Sequence, residues 1–384
     1  MPNTDSELIQ RAREIAPRIR ARAAEAAVRR KPHDDSIQEL IETGIVQMFV
    51  PKRWGGAEAS LSTALEVIEI ISEACPSTGW IAAFYIMHNI YVPKFPERAH
   101  EELFGKKGYV LLPAASAPNM KARKVDGGWE LSGRALWGSG VMHADWVMIG
   151  GMAEDGQQRG FLLPVAQVQV EDNWHFAGMS GTGSNDYVAT NVFVPDHRSA
   201  AMGEFYEGPT AGSRLYDNPL YSIPFFVLVY CTFAPVIVGC LKGALRAYEE
   251  TVERRVRNFT GAVVKEQQHA QIMLGEFQIA TRAADELARA VYGHAAEILA
   301  GRPFTVDERL KLKGLTAFIS KHSRETVNAM MGASGASSFH NDQALQRIWR
   351  DLNTVSVHAF VDWDATRELH GKHHLGLPLT YPLF

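Results

Sequence analysis

Cysteine is scarce in this sequence, and no residue spacing typical of a metal site is present. The 384 residues include three cysteines, Cys75, Cys231 and Cys240, which are widely spaced and odd in number. This pattern fits neither a disulfide framework nor a thiolate metal site. The 14 histidines include no His-Glu-x-x-His or similar arrangement. We therefore expect three reduced core thiols and no metal ion.

The sequence also lacks an excess of positive charge and any long uninterrupted apolar run. The formal net charge is −4, which argues against the basic surface that attracts nucleic acid or anionic lipid. A membrane span needs about 20 apolar residues, whereas the apolar stretch at residues 225–238 contains Thr232 and Pro235. We predict a buried helix there. The chain is polar and charged from Asp5 onward, so we expect no secretory signal and a cytoplasmic protein.

What the sequence does have is a helical pattern that changes to a strand pattern. Four early segments have helical apolar periodicity: residues 5–30, 36–43, 61–75 and 78–92. They predict an all-helical domain over residues 1–105. Seven short β-rich runs follow, separated by turns: residues 110–112, 124–125, 129–132, 146–150, 160–164, 167–170 and 188–194. They predict a small barrel or sandwich over residues 106–208.

Beyond residue 222 the pattern is helical again. Four long amphipathic segments follow one another: residues 226–257, 265–300, 306–331 and 343–368. At 1.5 Å per residue they would be roughly 40–55 Å long, and their short connectors fit an antiparallel bundle. We assign residues 209–384 to this third domain. The predicted fold class is therefore α+β but mostly α, with an N-terminal helical domain, a central β-barrel or sandwich and a C-terminal four-helix bundle.

The stretch Arg-Asp-Leu-Asn-Thr-Val-Ser-Val-His-Ala-Phe at residues 350–360 resembles the C-terminal signature of the acyl-CoA dehydrogenase superfamily. In that signature an Arg-Asp pair is followed eight residues later by Glu-Gly, and in many dehydrogenases the Glu removes an acidic C–H proton. Here the position is Ala359, preceded by His358. Alanine cannot take a proton, which indicates another use of the flavin. The order of the three domains resembles the same fold, whose usual assembly implies a homotetramer.

Three further stretches resemble one branch of that superfamily. They are Trp-Gly-Ser-Gly-Val-Met-His-Ala-Asp-Trp at residues 137–146, Cys-Pro-Ser-Thr-Gly-Trp-Ile-Ala at 75–82 and Leu-Gln-Arg-Ile-Trp-Arg-Asp at 345–351. The branch consists of flavin-dependent monooxygenases that receive reduced flavin from a separate reductase. Its members include oxygenases acting on 4-hydroxyphenylacetate, phenolic steroid fragments, dibenzothiophene and indole.

This resemblance implies three catalytic residues. His358 matches a histidine of the C-terminal bundle that lies over the flavin C4a/N5 region and would stabilise a C4a-(hydro)peroxyflavin. Because an imidazole pKa lies near working pH, we expect a neutral-to-cationic ring there. His88 matches a substrate-side histidine that would take a proton from a substrate O–H or N–H. Ser139 would direct its hydroxyl at the N5/O4 edge. The simpler alternatives are two packed core histidines and a turn serine.

The resemblance also implies residues that hold the cofactor. Trp137 would lie against the isoalloxazine ring, which needs an apolar face to stack on. Arg257 lies one residue from the position of a dehydrogenase arginine that reaches the neighbouring subunit's pyrophosphate, and is otherwise part of a solvated charge run. Gly332 belongs to a bend that resembles the family's segment near the adenosine half, and is otherwise part of a helix–helix turn. Residues 174–184 resemble a Gly-rich family segment whose amides could meet polar flavin atoms.

The favoured function is the oxygenase component of a two-component flavin-dependent monooxygenase. It would use reduced FAD, or alternatively reduced FMN, from an NAD(P)H-dependent flavin reductase. With O₂ as co-substrate, a C4a-hydroperoxyflavin would hydroxylate or epoxidise a small phenol- or indole-type ring. The pocket would be dry, because water promotes loss of H₂O₂. Its candidate aromatic lining is Trp80, Phe84, Phe225, Phe226 and Tyr230.

Two alternatives remain open from the sequence. One is an acyl-CoA dehydrogenase whose catalytic base has moved to another helix, which Ala359 does not exclude. The other is a flavin-storing or scaffold protein without activity. Retention of both His358 and Ser139 argues against the second alternative.

Overall fold

The computed structural model of the protein describes residues 4–300 and 302–381. Residues 1–3 of the predicted first domain, and residues 301 and 382–384 of the predicted third domain, lie outside the described residues. Five helices come first: Asp5–Arg29 (α1), Asp34–Glu42 (α2), Leu61–Ala74 (α3), Pro76–Met87 (α4) and Glu97–Phe104 (α5). The four predicted N-terminal helices are confirmed, although α4 ends five residues early, and α5 was not predicted.

The central part of the chain is a single hydrogen-bonded sheet. Its strands are Ala114–Val125 (β1), Gly128–Ala135 (β2), Trp146–Ala153 (β3), Gln158–Pro164 (β4), Gln169–Glu171 (β5), Asp186–Pro195 (β6) and Ser199–Ala201 (β7). Their order in the sheet is β5-β6-β2-β1-β3-β4-β7. All pairs are antiparallel except the parallel pair of β1 and β3. The strands have a small core of their own, which includes Trp129, Leu131, Ile149 and Phe161.

The predicted strand at residues 110–112 is wrong. This segment is buried but belongs to no ladder. Leu111 O accepts the backbone N–H of Asp145 (3.0 Å), and side chains bind other groups of its backbone. Val110 donates its N–H to Asn89 Oδ1 (3.3 Å), and Leu111 donates to Asp145 Oδ2 (3.2 Å). The carbonyl of Leu112 accepts a hydrogen bond from His88. The segment is therefore extended but bound by side chains that reach it from a helix and a turn.

The C-terminal part is helical and contains the largest core. Its helices are Met202–Glu207 (α6), Phe225–Arg254 (α7), Gln268–Leu299 (α8), Val306–Ala333 (α9), Ala344–Val355 (α10) and Trp363–His374 (α11). Helix α7 runs through the middle and packs against α3, α8, α9 and α10. The fold class predicted from the sequence is confirmed. The exact domain boundaries stay a prediction.

The continuous fourth helix predicted over residues 343–368 is wrong, because two side chains interrupt it. The chain leaves helical geometry at His358, whose ψ is 141°, and His358 Nδ1 accepts the N–H of Phe360 (3.3 Å). Asp362 then caps α11, accepting the N–H of Ala365 (2.7 Å). Such side-chain acceptors offer the backbone an alternative to the helical ladder. His358 therefore lies in a loop between α10 and α11 rather than on a bundle helix.

Helix α7 is the one described helix that is long and apolar enough to cross a membrane, but 94% of its apolar window is buried inside the protein. This agrees with the predicted buried helix at residues 225–238. The three cysteines are free and buried, as expected. Two of them, Cys231 and Cys240, lie on α7.

Gly178 allows a loop to contact α10 closely, so we expect Gly178→Ala to destabilise the protein. A Cβ there would lie 2.0 Å from Arg350 O and 2.3 Å from Thr354 Oγ1, which the helix backbone cannot avoid. Overpacking of this kind typically costs about 1–3 kcal/mol. Thermal and urea unfolding should report the loss.

Gly275→Ala on α8 is the matched control. No atom lies within 4 Å of its added methyl group, and helical alanine is more stable than glycine by up to about 1 kcal/mol. The control should therefore unfold at the same or a higher temperature. Equal stability of the two variants would contradict the predicted clash.

Candidate active site

Seven aromatic side chains make a closed circuit of ring contacts, here called the aromatic circle. In order they are Trp80, Phe84, His88, Tyr91, Phe225, Phe360 and His358. The successive ring centroids, returning to the first, are 4.6, 4.8, 4.9, 5.5, 6.5, 5.2 and 6.0 Å apart. The first three are spaced four residues apart along and just after α4, which places them on one face. The circle thus joins α4, the start of α7 and the loop between α10 and α11.

The aromatic circle is partly accessible from outside the protein. Phe84, His358 and Phe360 are only half-buried, whereas its other four members are buried. Phe233 of α7 lies behind it, with its ring 4.9 Å from Trp80 and 4.9 Å from His358. A small aromatic ligand that reached the half-buried members would meet apolar ring faces and edges.

His88 is a neutral hydrogen-bond acceptor in this site. Its Nδ1 lies 2.6 Å from Leu112 O, and a carbonyl can only accept, so Nδ1 carries the hydrogen. Burial lowers the pKa of His88 to about 4. At neutral pH its Nε2 therefore has a free lone pair, and within residues 4–300 and 302–381 no group donates a hydrogen bond to it.

His358 has the opposite polarity. Its Nδ1 accepts the N–H of Phe360, so the hydrogen of the neutral ring is on Nε2. Burial lowers the pKa of His358 to about 4, so the neutral form of the expected neutral-to-cationic ring predominates at neutral pH. In the described part of the chain, no carboxylate hydrogen-bonds to either histidine. The site thus pairs a neutral acceptor with a neutral donor.

Ser139 joins the aromatic circle through Trp80. The indole Nε1 donates to Ser139 Oγ (3.0 Å), and Ser139 Oγ lies 2.7 Å from Ser184 Oγ. Ser184 Oγ is in turn 2.7 Å from Thr182 Oγ1. All three hydroxyl residues are buried. The Gly-rich segment at residues 174–184 thus reaches the site through side chains.

Trp137 presents its ring to the outside next to this group. The residue has a positive φ of 58°, uncommon for a bulky side chain, and its N–H donates to Asp186 Oδ1 (3.0 Å). Its side chain is 60% exposed. Gly138 follows because an added Cβ would lie 2.2 Å from the Tyr187 ring. A strained, exposed indole beside buried Ser139 suits a planar ligand.

Arg257 and Gly332 lie far from the aromatic circle. Arg257 is exposed and donates from Nε to Gln267 Oε1 (2.7 Å). It follows the C-terminal end of α7, whereas Phe225 begins that helix, and 30 residues span about 45 Å. Gly332, near the end of α9, is exposed, with no atom within 4 Å of a Cβ placed there. The end of α9 that carries Gly332 lies beside the C-terminal end of α7, because Arg255 hydrogen-bonds Ser334 O. Neither Arg257 nor Gly332 therefore lies near a flavin ring held at the circle of the same chain.

Several residues of the candidate site were not predicted from the sequence. Tyr91 and Phe360 complete the aromatic circle, and Ser184 and Thr182 continue the hydroxyl contacts. Phe360 and the two hydroxyl residues lie inside motifs already singled out, so those motifs were the available signal. The predicted lining residue Tyr230 instead packs against Lys313, whose Nζ is 5.1 Å from its ring centroid.

Comparison with known proteins agrees with this architecture. Residues 3–97 match the model "Acyl-CoA dehydrogenase, N-terminal domain", and residues 231–363 match "Acyl-CoA dehydrogenase, C-terminal domain". The chain is 36% identical to a pigment production hydroxylase of Rhodococcus sp. over 100% of both chains. It is 31% identical to the flavin-dependent monooxygenase oxygenase subunit HsaA of Rhodococcus jostii, over 97% of this chain and 99% of the relative.

A solved structure has the same fold. XiaF from Streptomyces sp., in complex with FADH2 and glycerol, superposes with a TM-score of 0.88 at 26% identity, covering 98% of this chain and 97% of that one. The chain therefore belongs to the acyl-CoA dehydrogenase family, in its branch of flavin-dependent monooxygenase oxygenase components.

We expect the two histidines to make stability depend on pH in the acidic range. Both have a folded pKa of about 4, below the ordinary value of 6.5, so between these values the unfolded chain binds more protons. The free energy of unfolding should fall as pH drops from about 6.5 to about 4, by about 1.4 kcal/mol per pH unit for each proton. Urea unfolding at several pH values measures the slope.

Asparagine replacements test this assignment. His88→Asn keeps an N–H for Leu112 O, and His358→Asn keeps an oxygen for the Phe360 N–H, but neither titrates. Each should reduce the slope by about one proton, whereas His269→Asn, at an exposed position, controls for loss of an imidazole in general. A slope unchanged by both site variants would contradict the assignment.

Proposed function

We propose that the protein is the oxygenase component of a two-component flavin-dependent monooxygenase that hydroxylates or epoxidises a small phenol- or indole-type ring. A separate NAD(P)H-dependent reductase would supply the reduced flavin. The observation that carries this proposal is the aromatic circle, which holds a neutral imidazole acceptor and a neutral imidazole donor. No carboxylate of the residues that the structure describes is bonded to either ring. The relatives named above act in the same class of chemistry.

His88 would act on the substrate. Its Nε2 lone pair can accept a hydrogen bond from a phenol O–H or an indole N–H, which increases the electron density of the ring. Because burial keeps the pKa of His88 near 4, the residue polarises that bond more readily than it holds a full proton. The hydrogen bond to Leu112 O keeps the ring in the required tautomer.

His358 would act on oxygen. When reduced flavin is bound, it supplies the two electrons that activate O₂. The Nε2–H of His358 can donate to the oxygen on which negative charge develops, and a pre-aligned donor is favourable in a site with little water. The stacked ring of Phe360, 5.2 Å away, and Phe233 shield this donor. Exclusion of water also limits the release of H₂O₂.

The cofactor and the assembly form part of the proposal. Trp137 and Ser139 would contact the isoalloxazine ring, and reduced FAD is preferred over reduced FMN because XiaF was solved with FADH2. Arg257 and Gly332 are too far along the bundle to help the same chain. They would instead meet the adenosine diphosphate half of a flavin held by a neighbouring subunit, which requires an oligomer. We propose a homotetramer because that is the usual assembly of this fold. A cytoplasmic location fits the three free thiols.

Rapid mixing with oxygen tests the proposed chemistry. The protein with reduced FAD, mixed with oxygenated buffer, should regain the absorbance of oxidised flavin more slowly than free reduced FAD. We expect His358→Asn to shorten this delay about tenfold or more, since a hydrogen bond to a charged group contributes about 1.5–3 kcal/mol. Asparagine is too short to place an N–H where Nε2 lies.

His88→Asn should separate the two roles. Without substrate its delay should equal that of the parent, but with phenol or indole it should form less product and more H₂O₂ per NADH oxidised. His269→Asn is the control for both measurements. Reoxidation as fast as in free solution would contradict the proposal, and efficient desaturation of acyl-CoA thioesters would support a dehydrogenase instead.

A further inference from the structure

The buried hydroxyls next to Trp80 form a chain with a fixed direction. The chain runs from Trp80 Nε1 through Ser139 Oγ, Ser184 Oγ and Thr182 Oγ1 to Met179 O, with successive distances of 3.0, 2.7, 2.7 and 2.7 Å. Ser139, Ser184 and Thr182 are at most 6% exposed. Their hydrogens must therefore be satisfied within the chain.

The two ends of the chain determine which atom donates. The indole N–H at one end can only donate, and the Met179 carbonyl at the other can only accept. At 2.7 Å, two oxygens need a hydrogen between them, so the Thr182 hydroxyl donates its hydrogen to Met179 O. This holds although Met179 O also accepts from Trp174 Nε1 (2.9 Å) and from the Thr182 N–H (3.0 Å). Thr182 must then accept from Ser184, and Ser184 from Ser139.

Ser139 is left without a free hydrogen. Its oxygen accepts from Trp80, and its single hydrogen is committed to Ser184, so it can offer a ligand only one lone pair. Donation to a ligand would require the bond to Ser184 to break. The sequence predicted that the Ser139 hydroxyl is directed at the flavin edge. The hydrogen bonds to Trp80 and Ser184 restrict that hydroxyl to the role of an acceptor.

We infer that this series of hydrogen-bonded hydroxyls makes the site selective for the redox state of its flavin. Reduced flavin has an N–H at N5, which an acceptor can bind, whereas oxidised flavin has only a lone pair at N5, which an acceptor repels. The inference rests on the proposed function, in which Ser139 lies at that edge. Ser184 and Thr182 are positioning residues, because they fix the polarity of Ser139 without being placed at the flavin.

Two variants test the chain from different links. Ser184→Ala removes the acceptor of the Ser139 hydrogen. Thr182→Val removes the acceptor of the Ser184 hydrogen, so Ser184 can turn and donate to Ser139. Both free the hydrogen of Ser139 to donate. The second variant leaves every direct neighbour of Ser139 in place, so it responds only to the direction of the hydrogen bonds.

The readout is the dissociation constant for oxidised FAD and, under anaerobic conditions, for dithionite-reduced FAD. A new neutral hydrogen bond contributes about 1 kcal/mol, so both variants should bind oxidised FAD about three- to tenfold more tightly. Binding of reduced FAD should weaken or stay the same. A tenfold fall in the ratio of the dissociation constant for oxidised FAD to that for reduced FAD would lower the midpoint potential of bound flavin by about 30 mV.

Ser180→Ala is the matched control in the same loop. Its hydroxyl has no hydrogen bond to any group in the described part of the chain, so both constants should equal those of the parent. An unchanged ratio in Ser184→Ala and Thr182→Val, with the melting temperature of both retained, would overturn the inference while leaving the proposed function intact. A parent protein that binds neither form of FAD nor FMN would overturn both.

Discussion

One hydrogen bond between the backbone and each imidazole of the aromatic circle determines which ring nitrogen donates and which accepts. His88 gives its Nδ1 hydrogen to a carbonyl, and His358 receives a backbone N–H on the same ring atom. The free nitrogens are consequently an acceptor in one case and a donor in the other. Burial, with no carboxylate partner among residues 4–300 and 302–381, keeps both rings uncharged at neutral pH. A carboxylate beside either ring would raise its pKa and remove this complementarity.

The position of the His358 N–H donor depends on the loop between α10 and α11, which several hydrogen bonds stabilise. Lys313 of α9 is buried and donates from Nζ to Phe360 O (3.2 Å), and Tyr381 donates its hydroxyl to Ala359 O (3.2 Å). Burial lowers the pKa of Lys313 to about 8, so the ammonium still predominates at neutral pH. These bonds replace the helical partners that the carbonyls of the loop lack. The loop is therefore a supported structure between α10 and α11.

The sequence predicted the three-part architecture because helical and strand periodicities are strong in long segments. The motifs around Ser139 and His358 contain residues that the fold brings together at Trp80. It failed where side chains compete with the backbone ladder. The segment at residues 110–112 has the composition of a strand, yet Asn89, Asp145 and His88 take its hydrogen-bonding groups. The histidine pKa values were also beyond the sequence, because they depend on the burial of residues distant in the chain.

The three cysteines have a consequence for an enzyme that handles activated oxygen. Oxidation of a thiol to sulfenic acid proceeds through the thiolate. Burial raises the pKa of Cys231 to about 12 and that of Cys75 and Cys240 above the ordinary value. Each of the three sulfurs is therefore protonated and buried at neutral pH, so none of them presents a reactive thiolate to peroxide. The scaffold is chemically suited to survive its own by-product.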